Sequence, residues 1–173
     1  MKVCIVGSGL TALTLAKALV NQKIFVDVVL TNANKDINYS RTIGISKSNY
    51  DYFNKNIIDI KKITWKLKKI EIYSDNLKKE KILNFENNNQ LFSIVKNHQI
   101  FEVLNKSLLK NKYYKKIRSG KKNLTEIENY NLIINTEYNN NFTKKYFSKK
   151  IEKTYNCSAY TTTINHKKIL NKT

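Results

Sequence analysis

At 173 residues the chain has room for one domain with a buried core. Its formal charge is +19, yet Arg41 and Arg118 are its only arginines, and the lysines run from Lys2 to Lys172 without confinement to one segment. With abundant asparagine, isoleucine and tyrosine and no proline, this is the residue usage of an AT-rich coding sequence. It argues against a specific nucleic-acid surface, which favours clustered arginine, and leaves room for attraction to anionic lipid.

Val3, Cys4, Ile5 and Val6 form an apolar run without alternation, the pattern of a strand buried on both faces of a parallel sheet. Gly7 and Gly9 punctuate it, and Leu10, Leu13, Ala16, Leu19 and Val20 then recur at helical spacing. Gly7-Ser8-Gly9-Leu10-Thr11-Ala12 is the GxGxxA form of the dinucleotide-binding turn. Gly7 permits the tight exit from the strand, Gly9 admits a pyrophosphate to the backbone, and Ala12 lets the helix lie close to the strand. The N–H groups at the helix start face the phosphates. A second strand, Ile24–Leu30, follows at the distance a βαβ unit requires. One alternative is a βαβ unit that only packs. Another is a secretory signal with Ala16-Lys17-Ala18 as its cleavage site, but Gly-Ser-Gly would break the apolar region and a lysine would sit in the cleavage site.

Residues 31–36 are polar and predict a loop. Arg41–Ser46 predicts a short strand or turn, and Ser48 to Asn56 a helix capped by Ser48 with Tyr52 and Phe53 inward. Strands are predicted at Ile63–Leu67, Ile70–Tyr73, Ile82–Phe85 and Phe92–Val95, the second of them half-buried by its alternation, with a loop at Asn87–Asn89. An amphipathic helix is predicted from Gln99 to Leu109, with Ile100, Val103, Leu104, Ser107 and Leu108 on one face. Lys110 to Lys122 is a basic segment containing Tyr113 and Tyr114, and Tyr130–Ile134 predicts a last parallel strand.

Nothing is long and apolar enough to span a bilayer. Cys4 is expected to be a small buried hydrophobe. Cys157, His98 and His166 form no metal-spaced set with it, and no metal is expected.

The chain resembles the N-terminal half of the class A flavoprotein aromatic hydroxylases, and within them the ubiquinone-biosynthesis hydroxylases. The resemblance lies in Val6–Ala12, in Arg41-Thr42-Ile43-Gly44-Ile45-Ser46, in Ile70–Asp75, in Ile94–Ile100, and in Tyr130–Ile134 followed by Tyr155 to His166. It implies an α/β fold: a Rossmann-like FAD-binding domain with a central parallel sheet and part of an inserted antiparallel substrate sheet. The domain would run over 1–173, incomplete at its C-terminus, with 61–95 and 155–173 contributing strands of the substrate sheet. FAD would be the cofactor, NAD(P)H the reductant and a polyprenylated phenol the substrate. Gly7, Ser8, Gly9, Leu10, Thr11 and Ala12 would hold the FAD pyrophosphate, and Arg41 would sit beside the flavin and its phosphates. An arginine kept in a lysine-rich chain suits planar, multi-donor recognition, the alternative being a surface residue. Asn97 either orients substrate or flavin or caps the helix that follows.

The chain also departs from the family. Leu30 and Thr31 stand where an acidic residue should hold the adenosine ribose; Asp27 comes too early, and Asp36 serves only if its loop folds back. The family's Gly-Ala-Asp-Gly turn appears as Asn135-Thr136-Glu137-Tyr138, in which Glu137 keeps a carboxylate for the cofactor site. The family's later Gly-Asp motif is not found before Thr173. The expectation is an FAD-dependent monooxygenase in truncated or split form, completed by a second polypeptide, cytoplasmic or peripheral on the inner membrane face. The competing expectation is a non-catalytic dinucleotide-binding remnant or partner-dependent module. A basic binder of nucleic acid or lipid ranks last.

Overall fold

A computed structural model describes residues 1–30, 39–74, 80–118, 129–138, 140–147, 151, 153–158 and 160. The described residues fall into two compact units, one formed by residues 1–30 with those from 101 onward, the other by residues 39–100.

In the first unit, β1 (Lys2–Val6) pairs in parallel with both β2 (Phe25–Leu30) and β9 (Leu132–Asn135), and β2 pairs in parallel with β8 (Tyr114–Arg118). The spatial order is β8-β2-β1-β9. Of the strands anticipated at Val3–Val6, Ile24–Leu30 and Tyr130–Ile134, the first therefore lies between the other two. Val3, Cys4, Ile5 and Val6 are at most 1% exposed, as an apolar run between two partners must be. Helix α1 (Leu10–Asn21) packs on β1 and β2 and buries Ala12, Leu13, Ala16 and Val20. Lys23 ends it at φ 60°, with Lys23 N–H donating to the Val20 carbonyl and Ile24 N–H to that of Leu19. This is a Schellman closure in which a lysine takes the left-handed place that glycine usually fills.

Cys4, Val6 and Val29 pack with Ile117, Tyr130, Ile133 and Phe142, the last from α4 (Asn141–Tyr146). Burial, with the Asp27 carboxylate next in effect, pushes the Cys4 thiol up to about 11. Asp27 is the one acid inside this sheet. It is 5% exposed, and its Oδ2 accepts from Tyr130 Oη at 2.7 Å and Lys2 Nζ at 2.9 Å. A buried carboxylate needs such partners, so Asp27 fastens the sheet and is no ribose ligand. Asp36, the other candidate for that role, lies outside the described residues, as do the 31–36 loop and His166.

Strand β8 corrects the sequence reading, which treated Lys110 to Lys122 only as a basic segment. Tyr114 and Ile117 are half-buried while Lys115, Lys116 and Arg118 are exposed, as suits an edge strand. Burial pushes the Tyr114 phenol up to about 12. Helix α4 was also not foreseen. It is one short helical stretch capped by Asn140, whose side chain accepts from Thr143 N–H.

In the second unit, β3 (Thr42–Ser46) and β4 (Thr64–Leu67) flank β7 (Phe92–Lys96) in an antiparallel sheet, and β5 (Lys69–Tyr73) pairs with β6 (Lys81–Glu86) as a separate antiparallel ribbon. Within 61–95, the described residues 64–67, 69–73, 81–86 and 92–95 are antiparallel strands. Of 155–173, the described residues 155–158 and 160 form no strand, and the rest lie outside the described residues. The half-buried alternation expected of Ile70–Tyr73 is absent, since Lys69, Ile70 and Glu71 are half-buried and Ile72 and Tyr73 exposed.

Helix α2 (Lys47–Tyr52) is capped by Ser46, which accepts from Asn49 N–H, and not by Ser48. One wide π turn, Phe53–Ile57, continues it. Tyr50 is its buried aromatic and Phe53 is half-buried as expected, while Tyr52 is 60% exposed, because positions 50, 53 and 57 share a helical face that leaves 52 outside. Helix α3 (Asn97–Leu109) also starts earlier than its pattern implied, with Asn97 as its first residue and Asn97 N–H donating to the Arg41 carbonyl. Its expected inward face is kept: Ile100, Leu104 and Leu108 are buried. No described helix is long and apolar enough to cross a membrane.

Leu104 is fully buried and Leu109, on the same helix, is 59% exposed. Leu104→Ala should cost about 2–5 kcal/mol in urea denaturation, whereas Leu109→Ala should stay within about 0.5 kcal/mol. Equal losses would show that the inward face of α3 has been misassigned.

Candidate functional site

The four parallel strands run, in chain order, third-second-first-fourth across the sheet. The chain therefore steps outward from β1 to β2 and β8, then returns to the other side of β1 as β9. Open α/β sheets bind ligands at such a reversal, outside the carboxyl ends of the strands. Here those ends are Val6 and Asn135, which are paired in register. The residues that follow, Gly7–Gly9 and Thr136–Glu137, are brought side by side across 129 positions of sequence.

Gly7 is held at φ +140°. A Cβ there would stand 2.1 Å from Thr136 Oγ1 and 3.2 Å from Glu137 Cγ. Gly7 N–H donates to the Val29 carbonyl, and both the N–H and the hydroxyl of Thr136 donate to the Val6 carbonyl at 2.9 Å. The space over Gly7 is thus filled by β9's continuation, and only glycine fits.

Gly9 is different. It caps α1 in extended conformation without a side-chain cap, and a Cβ there would meet nothing within 4 Å. The first turn of α1 carries no acidic residue. Bare helix-start N–H groups beside open space are what a phosphate needs. Ser8 and Leu10 are half-buried, Thr11 is exposed, and Ala12 is fully buried where α1 packs on the strands. The six residues of the turn therefore fit a pyrophosphate: Gly7 shapes the exit, Gly9 leaves the approach open, and Ala12 sets the helix close.

Glu137 belongs to the same place. Its Oε1 accepts from Ser8 N–H at 3.1 Å and from Ser8 Oγ at 3.4 Å. Sequence reasoning placed Glu137 among the cofactor residues but did not reveal this contact. It also missed the brace beneath it. Asn135 Oδ1 accepts from Glu137 N–H and from Asn140 Nδ2, Asn135 Nδ2 donates to Thr143 Oγ1, and Thr143 Oγ1 donates to the Glu137 carbonyl at 2.9 Å. The only hint in sequence is the run of short polar residues around Tyr138, which favours local side-chain-to-backbone bonds.

Arg41 lies in the second unit, just before β3, with its side chain exposed and its carbonyl bound by Asn97 N–H. His98 is half-buried against Tyr39, with ring centroids 4.8 Å apart.

No family model matches the chain, and no curated protein matches it in sequence. Solved structures do. Similar ones include p-nitrophenol 4-monooxygenase PnpA from Pseudomonas putida DLL-E4, with a TM-score of 0.56 and 15% identity over 67% of this chain and 31% of that one. The flavin-dependent monooxygenase PieE, in complex with FAD and substrate, matches with a TM-score of 0.53 and 12% identity over 68% of this chain and 24% of its own. Aklavinone-11 hydroxylase, in a ternary complex with FAD and aklavinone, matches with a TM-score of 0.50 and 15% identity over 68% and 25%. The fold of the chain, a parallel sheet with separate antiparallel sheets, is thus that of the FAD-binding domain of flavin monooxygenases. The match spans less than a third of the length of these proteins.

The two glycines should respond oppositely to the same substitution. Gly7→Ala adds backbone strain and an overlap with Thr136, and should cost about 3 kcal/mol or more. Gly9→Ala meets open space and should cost no more than about 1 kcal/mol. Thermal or urea unfolding of the two variants checks this, and similar losses would contradict the geometry of the turn.

Proposed function

We propose that the chain binds FAD and serves as the flavin-binding part of an aromatic hydroxylase. The observation that carries this reading is the open phosphate approach at Gly9 beside a glycine-only exit at Gly7, set where the strand order reverses. Bound FAD would supply the redox chemistry, with NAD(P)H as reductant and an electron-rich phenol as the ring hydroxylated. The chain's own residues do the holding. Gly7 and Ser8 shape the turn, Gly9 leaves the pyrophosphate its approach to the backbone, Leu10 and Thr11 open the helix whose dipole favours its charge, and Ala12 keeps that helix on the sheet.

Arg41 offers forked donors to flavin or phosphate, a role that lysine would fill poorly. A polyprenylated phenol of ubiquinone biosynthesis is the substrate class that the sequence resemblance favours, and a lysine-rich surface suits work at an anionic membrane face. The matched region is less than a third of the neighbours' length. Turnover therefore belongs to an assembly that includes the remaining parts, on the same or a second polypeptide. A second reading, a dinucleotide-binding module without catalysis, is favoured by one observation: Glu137 already occupies the Ser8 N–H.

Equilibrium titration with FAD tests the reading. The wild type should bind saturably, Gly9→Val should lose at least tenfold in affinity by filling the phosphate approach, and Arg41→Lys should weaken binding by a smaller factor. Equal affinity in wild type and Gly9→Val would remove the site. NAD(P)H oxidation with a prenylated phenol, with and without a supplied C-terminal half, separates the hydroxylase from the non-catalytic module.

A further inference from the structure

The amino ends of the parallel strands lie at the opposite edge of the sheet from the glycine turn. Phe25 opens β2 there. It is 51% exposed, and its ring meets that of Tyr113 edge-on with centroids 4.9 Å apart. Val26 N–H donates to the Tyr113 carbonyl, so the start of the β2–β8 ladder fixes both residues. Two tight turns follow α3: Asn111 N–H donates to the Leu108 carbonyl and Tyr114 N–H to that of Asn111. They keep the exposed Leu109 and Lys110 close to Tyr113. Lys112 Nζ lies 5.3 Å from the centre of the Tyr113 ring. Lys23, exposed two residues before Phe25, holds φ 60°, a conformation that costs lysine more than glycine. Within segments 1–30 and 103–118 the one acidic residue is Asp27, which is buried and bound by Lys2. The exposed charge of this edge, among the described residues, is therefore positive.

We propose that this edge docks the protein on anionic phospholipid, with Lys23, Lys110 and Lys112 at the headgroups and Phe25 and Leu109 dipping among them. The inference deepens the membrane setting proposed above and needs no bound flavin. A lysine ammonium is a point charge that a headgroup phosphate satisfies without forked geometry. Apolar side chains set between the cations suit the boundary of headgroups and acyl chains. The phosphate backbone of a nucleic acid would satisfy the lysines and leave Leu109 without a partner. The glycine turn, at the other edge of the sheet, stays open while the protein is docked.

The experiment sediments the full chain with vesicles of phosphatidylcholine, with and without phosphatidylglycerol. Binding should require phosphatidylglycerol and fall as salt rises. Lys23→Gln, Lys110→Gln and Lys112→Gln together should weaken it by about fivefold per lysine. Lys55→Gln, Lys61→Gln and Lys62→Gln together, all exposed in the second unit, should cost far less for the same change in net charge. Leu109→Ala should weaken binding severalfold. Trp65 is the chain's one tryptophan, so Phe25→Trp in a Trp65→Phe background should shift its emission to the blue on the anionic vesicles alone. Circular dichroism melts establish that each variant is folded. Equal losses in the two lysine triplets would overturn the patch in favour of diffuse charge. Absence of vesicle binding by the folded wild type would overturn it, and so would binding of an RNA homopolymer through these lysines without binding of vesicles. FAD titration keeps the two readings apart: vesicle binding without FAD binding removes the flavin reading alone, and FAD binding without vesicle binding removes this one alone.

Discussion

Strand β1 is paired on both sides, and the rest of the first unit depends on that pairing. With its edges paired, α1 packed on the sheet, and Tyr130 and Phe142 packed against the cluster of Cys4 and Val6, Val3 to Val6 are buried almost completely, so the run must be apolar without alternation. Parallel pairing also requires that every strand end at the same edge of the sheet. The carboxyl ends of β1 and β9 therefore emerge together. From that single constraint follow the contact of Gly7 with Thr136 and the reach of Glu137 to Ser8.

Charge is handled in two ways around this strand. Asp27 is buried in the neighbouring strand and held by Lys2 and Tyr130. Removing both partners would leave an unsatisfied carboxylate in an apolar sheet. Glu137 lies instead at the half-buried mouth of the turn, where its carboxylate accepts from the N–H and the hydroxyl of Ser8. One acid serves the sheet, and the other ties the continuation of β9 to the turn after β1.

The parts legible in sequence are those whose physics is local. Val3–Val6, the Leu10–Asn21 helix and Phe25–Leu30 follow from hydrophobic period and two glycines, and the structure has them in place. So does the inward face of α3 at Ile100, Leu104 and Leu108. Strand β8 was not legible because an edge strand needs few apolar residues; Tyr114 and Ile117 alone are half-buried among lysines and Arg118. The cap of α2 was misplaced by two residues because Ser46 and Ser48 are chemically equal candidates, and only the end of β3 at Ser46 decides between them.

The sequence by itself determined the glycine turn, because Gly7, Gly9 and Ala12 act through backbone conformation and size at fixed short spacing. It also determined that the turn lies between a buried strand and a helix, since periodicity reports burial directly. Tertiary structure alone decided what faces that turn. Glu137 is 129 residues from Ser8, and no pattern along the chain carries a contact of that separation. It exists because β9 pairs with β1 in one register, Val6 opposite Asn135. A shift of one residue would turn the side chains that follow to the other face of the sheet.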